Sequence, residues 1–85
     1  MQLGYIFNTN INNLPDNITH LSFGTMFNKS INNLPNNLIE LTLGQSFRQK
    51  INNLPYTLKK LNIYKNQKRL LKKIPFDIKI NYLTD

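Results

Sequence analysis

Few residues in this chain could do acid–base chemistry. It has one histidine, His20, the acids Asp16, Glu40, Asp77 and Asp85, and three serines, Ser22, Ser30 and Ser46, among 85 residues. His20 and Glu40 lie 20 positions apart, and a His–carboxylate pair can serve as a general base. Ser22 would have to be its nucleophile, and it sits two positions beyond His20 on an open face. The pair reads as a surface pair, and no catalytic, cofactor or metal site is expected. A phosphate-binding loop is not expected either, because the three glycines are spaced 20 apart.

The other chemistry is electrostatic. The net charge of +7 is uneven: residues 1–47 sum to −1, residues 48–73 to +9 with no acid, and residues 74–85 to −1. Lys59, Lys60, Lys65, Lys68, Arg69, Lys72 and Lys73 are the candidate anion-binding set. Such a set would contact the phosphates of a nucleic acid or the carboxylates of an acidic protein. Tyr56 and Tyr64 are the aromatics available for base stacking. Asn, Ile and Lys are encoded by AT-rich codons, so part of this basicity belongs to composition.

Other classes are bounded quickly. There is no cysteine, which excludes a disulfide framework or thiolate metal site and fits a reducing compartment. No apolar run reaches 10 residues, so neither a membrane-spanning helix nor a signal-peptide core is expected, and the chain reads as cytoplasmic. The triplets Asn17-Ile18-Thr19 and Asn28-Lys29-Ser30 read as incidental in an Asn-rich chain.

The element that must position all these residues is a repeat. "INNLP" occurs at 11–15, 31–35 and 51–55, with "LKKIP" at 71–75, so the prolines fall at 15, 35, 55 and 75. In that frame six columns stay apolar, among them Met1/Leu21/Leu41/Leu61, Leu3/Phe23/Leu43/Ile63 and Phe7/Phe27/Phe47, the last ending in Gln67. The spacing after the Phe mimics an amphipathic helix. The helix is rejected because Pro falls mid-pattern and Asn pairs are poor helix interiors. "HLSFG", "ELTLG" and "KLNIY" alternate as half-buried strands do. Gly4, Gly24 and Gly44 follow the strands, where a turn with positive φ is expected. The expected fold is an all-β solenoid of four 20-residue coils (1–20, 21–40, 41–60, 61–80) on a narrow parallel sheet, with a partial fifth strand over 81–85. One domain covers 1–85.

The apolar spacing of "LxxLxLG" resembles the strand segment of leucine-rich repeats, and the chain is more specifically similar to the FNIP repeat, a variant of that family. The Phe-Asn pair stands at Phe7-Asn8 and Phe27-Asn28, and the Ile/Leu-Pro at Leu14-Pro15, Leu34-Pro35, Leu54-Pro55 and Ile74-Pro75. Phe47-Arg48, Gln67-Lys68 and Tyr64 depart from the pattern. The resemblance implies a leucine-rich-repeat-like stack with a protein-interaction role, in a family typical of social amoebae and of giant viruses that infect them. Longer relatives carry an F-box; the repeats here begin at residue 1, and a ligase-adaptor role is not carried over.

In such a coil, strand residues between core columns face the concave side. The expected partner-binding face is His20, Ser22, Glu40, Thr42, Lys60 and Asn62, continued by Gln2 at one end and by Ile80 and Tyr82 at the other. These positions vary from copy to copy, while the core columns barely change. Repeat proteins bind through such faces, so the expected function is a non-enzymatic module binding a protein partner there. The alternatives are the anion-directed binder above and a repeat remnant without selected activity. The first coil has no polar cap, so a sticky end is expected there: either the chain is a fragment of a longer array, or that end packs on a partner or, by self-association, on a second copy. The pairs Asn12-Asn13, Asn32-Asn33 and Asn52-Asn53 are expected to stack as a ladder that ends at Lys72-Lys73.

Overall fold

The computed structural model describes residues 1–75 and 77–84; Phe76 and Asp85, and with Asp85 the end of the expected last strand, lie outside the described residues. Four strands, β1 (His20–Ser22), β2 (Glu40–Thr42), β3 (Lys60–Tyr64) and β4 (Lys79–Leu83), form one parallel sheet in chain order. A further rung precedes them: Gln2 bridges Ser22, Leu3 N–H donates to the Ser22 carbonyl (2.9 Å), and Ser22 N–H donates to the Met1 carbonyl (2.9 Å). Leu21 pairs with Leu41 and Leu41 with Leu61, so the ladder advances 20 residues per step. The sheet is open at both edges and the described residues are mostly non-helical, an arrangement compatible with the expected repeat stack.

The core is built by columns. Leu21, Leu41 and Leu61 are buried, as are Phe23, Leu43 and Ile63. Phe7, Phe27 and Phe47 stack nearly parallel, with centroids 5.9 and 6.0 Å apart. Gln67 then takes the next place in that column, fully buried. Its amide donates to the carbonyls of Gly44 (2.7 Å) and Phe47 (3.2 Å), and its Oε1 accepts from Tyr64 N–H (2.9 Å). The sequence break therefore becomes a satisfied polar plug that closes the aromatic column.

The glycines serve a purpose other than the one expected. None has positive φ. A Cβ on Gly24 would collide with the Gly4 carbonyl, and one on Gly44 with the Gly24 carbonyl. Glycine is required because successive repeats touch backbone to backbone here. Only Asn53 among the described non-glycine residues takes positive φ (53°), a conformation Asn tolerates.

The expected Asn ladder is also relocated. The INNLP pairs form one cross-repeat rung, Asn33 Nδ2 to Asn12 Oδ1 (2.7 Å). The continuous ladder belongs to the residue after the Phe. Asn28 N–H donates to Asn8 Oδ1 (2.8 Å), and Arg48 N–H to Asn28 Oδ1 (2.8 Å), which also takes Gln49 Nε2 (3.1 Å). The amide side chain can replace a strand partner because it accepts at the reach of a neighbouring chain. In INNLP itself the Ile is buried, and the Pro carbonyl opens a turn: Pro35 accepts from Leu38 N–H (3.4 Å) and Pro55 from Leu58 N–H (3.0 Å).

The fourth repeat departs at two places, neither of them Lys72-Lys73, since Lys72 N–H still donates to the Ile51 carbonyl (3.1 Å). First, Tyr64 replaces the glycine, β3 runs on through it, and "KNQKRL" forms a 3₁₀ helix, Lys65–Leu70. Second, β4 slips by one: Leu61 pairs with Ile80 and Ile63 with Tyr82, a step of 19. Ile80 packs partly buried against the core, so it is not on the open face. Lys79 and Asn81 occupy that face instead, because a one-residue slip exchanges the two sides of a strand. The last strand thus begins at Lys79 and not at residue 81.

Gly24→Ala and Gly44→Ala are expected to lower stability by about 1–3 kcal/mol each through overpacking, while Gly4→Ala, with nothing within 4 Å of its Cβ, stays within about 0.5 kcal/mol. Urea denaturation of the three variants checks this. Asn28→Ala, which takes the side-chain acceptor from the Arg48 amide at an exposed position, is expected to cost about 0.5–1.5 kcal/mol in the same assay.

Candidate functional site

Strand alternation sets two polar rows on the open sheet face, either side of Leu21–Leu41–Leu61. One row is His20, Glu40, Lys60 and Lys79; the other is Gln2, Ser22, Thr42, Asn62 and Asn81. The six expected face residues are therefore brought together, three in each row, with Lys79 and Asn81 added by the slip. Tyr82 stands in register with core Ile63 and leaves the set.

The centre of this surface is a hydrogen-bonded cluster. Asn62 Nδ2 donates to Glu40 Oε2 (2.8 Å) and to Thr42 Oγ1 (2.9 Å). The amide cannot be turned over, because that would set Oδ1 against the Glu40 carboxylate. Both donated bonds reach β2, so Oδ1 is directed away from β2. It is buried and has no partner among the described residues. Asn62 is only 6% exposed. It was expected to lie open to a partner; instead it is a buried hub that fixes how Glu40 and Thr42 are presented. Sequence reasoning missed this because alternation reports which face a side chain takes and says nothing of how neighbours cover it.

Glu40 also meets His20, Oε1 to Nε2 at 3.8 Å, while His20 Nδ1 lies 3.0 Å from Thr19 Oγ1. Both ring nitrogens thus face groups other than a serine. The arrangement orients a surface pair and offers no activated nucleophile. Among the described residues no group of three or more His, Asp or Glu could hold a metal ion.

Lys60 and Lys79 are opposite each other across β3 and β4, and neither makes a salt bridge among the described residues. Glu40 is turned to His20 and Asn62 instead. Like charges directly opposite on a sheet are unfavourable, so this end of the face carries a concentrated positive charge. The remaining basic residues lie elsewhere: Lys65, Lys68 and Arg69 are exposed on the 3₁₀ helix, Lys59 is exposed just before β3, and Lys72 and Lys73 are exposed on the return path. Tyr56 is exposed (85%), whereas Tyr64 is half-buried. The basic set does not line one groove.

Among known protein families, the FNIP repeat model matches residues 7–34 and 27–66, together more than two thirds of the chain. No curated protein and no solved structure matches it.

Asn62→Asp would place a second carboxylate where the amide now donates to Glu40. The buried acid and its like-charged neighbour raise the folded-state pKa of the new group above its unfolded value. The variant is therefore penalised most at neutral pH, and the loss, on the order of 1–3 kcal/mol, shrinks as pH falls toward about 3. Urea denaturation at both pH values measures it, and an equal loss at each would contradict the cluster.

Proposed function

The chain belongs to the FNIP repeat family, and from that premise we propose that it is a non-enzymatic protein-interaction module that binds through its open sheet face. It acts as a short solenoid of leucine-rich-repeat type, in the cytoplasm. The 20-residue ladder step supports the solenoid, and among the described residues no helix is long and apolar enough to cross a membrane.

One observation carries the reading. The face rows change identity at every repeat, from His20 to Glu40 to Lys60 and from Ser22 to Thr42 to Asn62, over columns that stay Leu or aromatic and aliphatic beneath them. Glu40 and Thr42 are held by Asn62 before any partner arrives, which limits the side-chain entropy lost on binding. The partner would set polar, hydrogen-bonding groups against Ser22 and Thr42 and an acidic group against Lys60 and Lys79.

A second reading, binding of a nucleic acid or acidic protein through the basic segment 48–73, draws on the exposed cations of the 3₁₀ helix and return path. Their spread over several elements favours the sheet face. Capture of partners from cell extract separates the two. A partner that survives salt up to about 0.5 M, where the Debye length is about 4–5 Å, and is lost from Ser22→Arg/Thr42→Arg supports the face. Loss with salt, and from the combined charge reversal of Lys65, Lys68, Arg69, Lys72 and Lys73 with the face intact, supports the basic segment.

A further inference from the structure

One corner of the stack gathers cations from three successive repeats. It is the short segment between the Phe column and the buried Ile, which reads Asn28-Lys29-Ser30, then Arg48-Gln49-Lys50, then Lys68-Arg69-Leu70. Lys29, Arg48, Lys50, Lys68 and Arg69 are all exposed. Only Lys68 and Arg69 belong to the anion-binding set expected from the sequence.

The corner is held in register from repeat to repeat. Arg48 N–H donates to Asn28 Oδ1 (2.8 Å) and Gln49 Nε2 to the Asn28 carbonyl (3.3 Å), which fixes repeat 3 on repeat 2. Gln67 Nε2 donates to the Phe47 carbonyl (3.2 Å) just before the corner, and Ile51 bridges Leu71 just after it, which fixes repeat 4 on repeat 3. The cations therefore lie side by side along one ridge. None of Asp16, Glu40 and Asp77 falls in these segments. Arg48 Nη1 donates to the carbonyls of Gln45 (2.6 Å) and Phe47 (2.8 Å). A guanidinium has five N–H donors, so these bonds anchor the head group and leave others for an anion.

The side chains around the cations select the partner. No aromatic residue occupies the corner in any repeat, and Leu70 is buried. Protein interfaces are built on aromatic and Met anchors and are depleted of Lys. Single-stranded nucleic acid is gripped by stacking on aromatic rings. The corner offers neither. It offers Lys and Arg among hydroxyl and amide groups, and Ser30, Asn32, Gln49, Lys50 and Asn52 line a polar cleft between repeats 2 and 3. These are the residue types that contact the phosphates of a duplex. The two steps from repeat 2 to repeat 4 cover about 10 Å at ~4.8 Å per step, a length over which a duplex carries about six phosphate charges.

We propose that this ridge binds the phosphate backbone of a double-stranded nucleic acid without reading its bases. The proposal rests on the second reading above, which it narrows to one corner and one class of partner, and it is independent of the sheet face.

Fluorescence anisotropy of a labelled DNA duplex of about 20 bp, titrated with the full chain from about 50 to about 300 mM NaCl, tests it. Contacts to about three to five phosphates predict a slope of log K against log[salt] of about −2.7 to −4.5. Lys29→Gln/Lys50→Gln is expected to make that slope shallower by about 1.8. Lys59→Gln/Lys79→Gln removes the same charge beside the sheet and is expected to change it clearly less. All four residues are exposed, so the urea midpoints stay unchanged. Absence of binding at about 50 mM salt overturns the proposal and leaves the sheet-face reading untouched. An equal or larger effect from the second pair overturns the ridge and leaves a diffuse attraction to the basic segment. Displacement of the duplex by poly-glutamate at equal charge concentration assigns the corner to acidic proteins and overturns the proposal as well, as does tighter binding of the single strand.

Discussion

The whole structure rests on how closely one repeat lies on the next. At Gly24 and Gly44 the main chains touch, leaving no room for a single carbon atom. That contact sets the spacing at which Phe7, Phe27 and Phe47 stack, and at which an Asn side chain reaches the amide of the repeat below. The short strands supply only three paired residues per repeat at β1 and β2. The Asn ladder extends backbone pairing into the return path, where no strand exists to satisfy those amides. A repeat of this size cannot bury a core by itself, so these contacts between repeats are the fold.

The terminal repeats show what happens when the constraint lapses. Where Tyr64 stands in place of glycine, the fourth repeat cannot approach the third backbone to backbone, and the Gln67 amide takes the Gly44 carbonyl instead. The chain uses the released length to form a 3₁₀ helix and to shift β4 by one residue. That shift carries Lys79 and Asn81 onto the open face, so a change made by packing alters the charge a partner would meet.

Much of this was legible in the sequence, and the gaps have physical reasons. The constant proline spacing set the columns, and with them the core, the parallel ladder and the membership of the polar rows through the third repeat. The glycines were recognised but misread, since a turn with positive φ and a close backbone approach both select glycine. Asn8 and Asn28 stand out in the sequence only as half of the Phe-Asn pair, and their bonds to the next repeat do not show, because a bond between residues 20 apart leaves no local mark. The slip at β4 was hidden by trust in the proline period, although Ile78, Ile80 and Tyr82 alternate with Lys79 and Asn81 in plain view. The burial of Asn62 had no signal at all, as it depends on the neighbours β2 and β4 provide.

Amide hydrogen exchange tests the account most directly. The Asn28 and Arg48 amides lie outside every strand and helix, so local structure alone would let them exchange quickly. If side chains of the preceding repeat hold them, both are protected as strongly as Phe23 and Leu43, whose amides donate across the sheet to Thr42 and Asn62. Exchange of Asn28 and Arg48 at the rate of exposed turn amides, with Phe23 and Leu43 still protected, would contradict the ladder as the element that spaces the repeats.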